Sequence, residues 1–367
     1  MPAVSLMLMR RISSRFAVAS LLSLFVVACG QAAGVGAATG TGSGGGATAT
    51  GSGGGAPHVT VTLTNVPISP NGMWASGPTD VYAVGQAGEP FAPAAVKSMD
   101  DGGSFATIVY GGPFESGPGA STYRMFGAWG RGPGDFVAVG DGGAVGHTTD
   151  GGASWSMSFS GNGTDHHAAV WGYGQSSVFV VGTSTGMTGV ILASSDAAKT
   201  FARTTTSAAD ALAGVWAASD HEAYAVGAKG TGGAVLHTVD GVSWAPSGAG
   251  TGVSSAPLAA VWGSGTGDVY VAGAAGTFHS TNAGATWAKV DPRASGAVWG
   301  RGSHDVYVTA TSPAAKCPDT VLHSADGGAS WVALHQEMVC FGALAGTSDA
   351  LFAAVPGYQS GTIVVLR

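Results

Sequence analysis

Charge is scarce in this chain. Lys and Arg number 14 and Asp and Glu 21 among 367 residues, 10% in all. Setting aside Arg10, Arg11 and Arg15 leaves 11 basic against 21 acidic side chains, and no Lys/Arg run remains. Phosphate backbones are gripped by clustered cations, so nucleic acid is disfavoured as a partner. Cysteine is equally sparse. Cys29, Cys317 and Cys340 are the whole set, without a CxxC or a Cys/His zinc spacing. Beyond the first 29 residues no stretch keeps a 3.6-residue apolar period, which argues against helices. The apolar run at 16–27 is too short for a permanent membrane-spanning helix. No nucleophile elbow or phosphate loop occurs in a strand–turn–helix setting.

Glycine, by contrast, is abundant at 63 residues, and 45% of the chain is apolar. Much of the glycine sits at turns and in the segment 30–57, and one turn-like stretch recurs. Residues 324–331 read SADGGASW, and 148–155 read TTDGGASW. SMDDGGSF (98–105), SSDAAKTF (194–201) and STNAGATW (280–287) follow the same plan, and TVDGVSW (238–244) is one residue short. An Asp opening a turn accepts hydrogen bonds from backbone N–H groups two or three residues on. Gly takes the positive φ of the reversal, and the aromatic anchors the next strand. A second signature precedes each stretch, WASGPTDVYAVG at 74–85 in its first copy. It restarts at Trp129, Trp171, Trp216, Trp262 and Trp299, with a frayed copy at 343–355. The intervals are 37 to 55 residues, one four-stranded propeller blade each.

The turn pattern Ser/Thr-x-Asp-x-Gly-x-Ser/Thr-Trp resembles the Asp-box, or BNR, repeat of sialidase-like β-propellers. Lipoproteins of this type are common in myxobacteria. The resemblance assigns Asp100, Asp150, Asp196, Asp240, Asn282 and Asp326 to structural turns. It implies an all-β, seven-bladed propeller with four-stranded blades. Three apolar segments at 341–345, 350–355 and 362–366 lack a fourth partner, and an alternating segment at 58–66 precedes the first repeat. Pairing these completes a seventh blade and removes an open sheet edge. In such a blade the second-to-third-strand loop and the exit of the fourth strand share a face. Cys317 and Cys340 occupy those two places in the sixth blade, which permits a disulfide.

Residues 1–28 read as a lipoprotein signal peptide: three Arg, an apolar run, then Val26-Val27-Ala28-Cys29. This resembles the bacterial lipobox, with Cys29 as the lipidated residue. Gly30 in place of Asp favours the outer membrane by analogy, on its periplasmic or surface side. Residues 29–57 form a Gly/Ala/Ser/Thr tether and 58–367 the propeller.

Catalytic residues are hard to find. All ten Trp fall in the two repeated signatures, leaving none for stacking a sugar. Ten of the 21 carboxylates stand at repeated positions, and no remaining pair is singled out for glycoside hydrolysis. The arginine triad and Arg-Ile-Pro start of sialidases have no counterpart. His147, His237, His279 and His323 each precede a turn repeat, as structural positions do. Asp165-His166-His167 is the densest polar cluster, read as a solvated loop rather than a metal site. Four insertions, at 86–95, 111–125, 161–167 and 309–320, fall on one face by strand order, and binding concentrates in such loops. Tyr123, Arg124, His166 and His167 are the candidates there. The expectation is a monomeric, non-catalytic module, without metal or cofactor, that binds a protein or glycan at the cell envelope. The alternatives are a glycoside hydrolase and an envelope assembly factor resembling the photosystem II stability factor.

Overall fold

The computed structural model describes residues 59–88, 91–115, 124–248 and 252–367. Tyr123, Cys29 and the signal and tether segments lie outside them. Seven sheets of four antiparallel strands form a ring. Blade 1 runs outward through Ser69–Gly77, Asp80–Ala87, Ala92–Ser98 and Ala106–Tyr110. Blades 2 to 6 begin with inner strands Met125–Gly132, His166–Tyr173, Ala211–Ala217, Leu258–Gly265 and Val298–Gly302. Blade 7 combines Leu344–Gly346, Leu351–Val355 and Gly361–Leu366 with Val61–Val66. Val61 pairs with Leu366 and Val66 with Gly361, and Thr60 and Arg367 exchange two further backbone bonds. The expected head-to-tail closure is therefore present. Inner strands touch in succession, and that of blade 7 meets that of blade 1.

Each second strand is sandwiched between two neighbouring blades, so it is buried on both faces. Asp80–Ala87 is buried throughout, whereas the outermost strand Ala202–Thr206 is largely exposed. This explains continuous apolar second strands beside polar fourth strands. Tyr82, Phe179, Tyr224, Tyr270, Tyr307 and Phe352 hold one position along them, opposite the signature Trp or, in blade 7, Ala345. Burial of each such ring contributes about 2 kcal/mol or more.

The signature Trp has a defined receiver. A methyl group added to Gly130, Gly172, Gly263 or Gly300 would lie 2.5–2.6 Å from the Trp of the preceding blade. Gly346 receives Trp299 in the same way. Trp-Gly is thus an interlocking pair: the Trp packs forward while its own Gly receives the ring behind. Ala75 and Ala217 stand at the Gly position in blades 1 and 4.

The turn repeats all lie at one face. Thr148 Oγ1 donates to Asp150 Oδ1 at 2.8 Å and accepts from Gly152 N–H at 2.9 Å. Asp150 Oδ1 accepts from Ser154 N–H at 2.9 Å, and Oδ2 accepts from the Ser154 hydroxyl. The amide used is four residues on, not the two or three expected from an Asx turn. The shortened copy uses only nearer amides, with Asp240 accepting from Val242 and Ser243, and Asp196 accepts from Lys199 N–H at 3.1 Å besides the amide four residues on. The Ser154 hydroxyl and amide hold the Asp150 carboxyl down at about 2, and Ser330 does the same for Asp326.

The repeated His residues are part of this framework. His147, His237, His279 and His323 lie 2.7–3.2 Å from Asp135, Glu222, Asp268 and Asp305, the acids opening each second strand. Three of the four also stack on the buried Tyr beside them, His279 on Tyr270 at 3.9 Å between centroids.

Candidate functional site

Alternating strand direction puts the second-to-third-strand loops and blade-to-blade connections on the face opposite the turn repeats. The described parts of the four insertions lie on that face, as the strand order requires. Part of the first is strand, since Asp80–Ala87 and Ala92–Ser98 leave only residues 88–91 between them. On this face the disulfide Cys317–Cys340 joins the blade 6 loop to the exit of its outer strand, with Cα atoms 5.4 Å apart. It ties the 309–320 insertion to the frame.

Inner strands enter this face through a repeated bulge. Register shifts leave Asn71, Phe126, Ala168, Ala213 and Ala259 unpaired, each three residues before the signature Trp. A bulge re-aims a side chain at a sheet end. Three of the five are Ala, but blade 2 places Phe126 there, half-buried.

Around Phe126 the structure gathers two of the expected residues and one carboxylate that sequence reasoning did not single out. Arg124 Nε donates to Asp141 Oδ2 at 3.0 Å, and His166 Nδ1 lies 2.6 Å from Asp141 Oδ1. The Arg124 guanidinium sits 5.2 Å from the centre of the Phe126 ring. His166 meets the same ring edge-on at 4.6 Å. Burial pushes the Asp141 carboxyl up, but the His166 hydrogen bond and the charges of His166 and Arg124 outweigh it, so it ionises below the usual range. Arg124 and His166 stay partly open, at 33% and 40% side-chain exposure. The result is a cation, an imidazole and an aromatic face braced by one half-buried acid. Such a group donates charge-assisted hydrogen bonds and stacks on flat ligand surfaces.

His167 has a different place. As the next residue of one strand it points the other way. It is fully buried, with Nδ1 3.3 Å from the Ala144 carbonyl and Nε2 3.0 Å from Ser160 Oγ. Burial takes the ring down to about 4, so it is neutral near pH 7. Asp165 is also buried, accepting from Arg203 Nε at 2.7 Å and Nη2 at 2.8 Å and from Ser160 Oγ at 2.6 Å. Gly161 is required beside it, because a Cβ there would strike the Asp165 carboxylate and its φ is +60°. His166 therefore turns to Asp141, while Asp165 and His167 share Ser160 and are held by Arg203 and the Ala144 carbonyl. No group of three donors suited to a metal occurs among the described residues.

Phe126 left a trace in the sequence. Aligning the copies on their Trp shows Phe where other blades have Ala, Asn or Gly. Arg203, on an outer strand 38 residues from Asp165, left none. Other carboxylates outside the repeats also have partners: Asp101 with Arg367, Asp210 with Lys229, Asp291 with Arg293 and Glu337 with His335.

The fold and these sites define a seven-bladed β-propeller. No family model and no curated protein matches the sequence. Solved structures match at the level of the fold. YCF48 bound to D1 peptide is 16% identical, covering 83% of this chain and 96% of its own, with a TM-score of 0.61. A streptogramin B lyase gives 11% identity, 84% and 97% coverage and a TM-score of 0.62. The GH74 enzyme of Niastella koreensis gives 18% identity over 82% of this chain and 43% of its own, at a TM-score of 0.52. Peptide binders and enzymes thus share this architecture, and fold alone does not separate them.

Proposed function

We propose that this chain is a membrane-anchored, non-catalytic propeller that binds a protein or glycan at the cell envelope through its loop-rich face. The observation carrying the reading is the Arg124–Asp141–His166 group on Phe126. Its bulge position is occupied by Ala in three other blades, so the ring does not need it there. The partners of the carboxylates outside the repeats favour binding over hydrolysis, since a glycosidase keeps two acids free to face its substrate. A peptide-bound neighbour of the same fold favours a protein ligand.

The anchoring half rests on the Val26-Val27-Ala28-Cys29 motif. Geometry is compatible with it. The chain enters blade 7 through Val61 beside Leu366, where other blades carry their turn repeats. A body held from that side offers its loop-rich face outward. Labelled fatty acid incorporated into the chain and lost in Cys29→Ser tests the anchor.

The binding half is tested by capture from envelope extracts, alongside a glycan array. Arg124→Ala with His166→Ala is expected to lower capture at least tenfold at unchanged fold. Turnover of a chromogenic glycoside, abolished by replacing one carboxylate, would overturn the non-catalytic reading.

A further inference from the structure

Asp141 spends both carboxylate oxygens inside its own group, one on Arg124 Nε and the other on His166 Nδ1. Among the described residues, no further side-chain hydrogen bond reaches the two terminal nitrogens of Arg124 or Nε2 of His166. Both side chains stay partly exposed at those ends. An ionised carboxylate only accepts, so the hydrogen shared by Asp141 and His166 sits on Nδ1. The neutral ring therefore turns a bare Nε2 outward as an acceptor. Only the protonated ring donates there.

The charge of the group follows the same proton. With a neutral imidazole, Arg124 and Asp141 cancel; with an imidazolium the group carries one positive charge. Asp141, held below the usual carboxylate range, stays ionised in mild acid. The groups facing His166 are Asp141, Arg124 and the Phe126 ring, and its partner on the next strand is the uncharged Thr183. Asp165 and His167 turn to the other side of the strand. There Arg203 neutralises the acid, and burial keeps the His167 ring uncharged.

We propose, resting on the binding role above, that this group takes a carboxylate of a protein partner, from a side chain or a chain terminus, together with a proton on His166. The free end of Arg124 presents a planar pair of donors that fits two carboxylate oxygens, and the imidazolium Nε2 adds a third bond. One added positive charge matches one carboxylate, whereas phosphate groups call for clustered cations. Arg124 lies over the Phe126 ring and His166 against its edge, so the ring backs the cation instead of serving as a sugar platform. A bare Nε2 would meet the carboxylate lone pair to lone pair, so ligand and proton strengthen each other's binding.

The probes are three dye-labelled, alanine-based peptides: one with an internal Glu and an amidated end, one with Gln and a free carboxyl end, and one with Gln and an amidated end. Each is titrated against the full-length chain by fluorescence anisotropy. We expect at least one carboxylate peptide to bind about fivefold tighter at about pH 5.5 than at about pH 7.5, and the amidated Gln peptide not to bind. Which carboxylate peptide binds identifies the source. His166→Gln should abolish the pH difference and Arg124→Ala the binding, while the neutral peptide tests the carboxylate without altering the chain. Equal binding of the neutral peptide, equal affinity at the two pH values, a pH difference that survives His166→Gln, or binding of a uronic acid disaccharide in place of the peptides overturns the proposal. Silence from all three probes overturns it as well. The binding role itself falls only if capture from envelope extracts is also indifferent to Arg124→Ala with His166→Ala.

Discussion

The two faces of the ring use polar side chains differently. In the turn repeats the Asp that opens each turn is satisfied within four residues, as Asp150 is by Thr148 and Ser154. On the loop-rich face the bonds reach across the chain, from His166 to Asp141 and from Arg203 to Asp165. The first arrangement is repeated in six turns, and the second occurs once. Repetition marks what every blade needs to form, while departures mark what one place does.

Removing an interlocking ring should have the largest effect. Trp216→Ala leaves a void against Gly263, and we expect a loss of about 4 kcal/mol in denaturant unfolding. If the loss is below about 1 kcal/mol, the Trp-Gly lock is not what holds adjacent blades.

Acid should act on the loop-rich face next. The His167 ring titrates at about 4 when folded and near 6.5 when unfolded, so the unfolded chain binds the extra proton between those values. Stability is complete above about pH 6.5 and falls by about 3 kcal/mol on the way down to pH 4. Urea midpoints across that window measure it, and His167→Gln should flatten the slope. A slope unchanged by that substitution would place the acid sensitivity elsewhere.

Arg203→Ala strands a buried carboxylate. Because the guanidinium is 34% exposed, water takes up part of its role, and about 2 kcal/mol is expected rather than the full buried-pair value. Restoration by Asp165→Asn in the same chain would attribute the loss to the stranded charge.

The smallest effect sharpens the other face. Ala197 holds φ +66° where Gly151 stands in the matching turn. Ala197→Gly should stabilise by about 1 kcal/mol, read as a raised melting temperature.

The ring was legible in the sequence because one physical demand recurs. A Trp needs a small residue in the next blade, and a turn needs its Asp and Gly, so each copy reinforces the others. The closure of residues 61–66 on 361–366 followed from counting strands. The site was legible only in part. Arg124 and His166 were found through loop length, but their brace, Asp141, depends on which two connections meet in space. His167 was grouped with His166 because the two are adjacent, yet strand alternation sends adjacent side chains to opposite sides. The pairing of Arg203 with Asp165 joins distant segments and carries no local signature.

The most direct test measures melting temperature and ligand capture together on two double variants. Arg124→Ala with His166→Ala should lose capture while melting within a few degrees of the parent. Asp150→Asn with Asp326→Asn should melt lower and keep capture once folded. Capture lost through the second pair and retained by the first would contradict the division between a repeated framework and a single binding place.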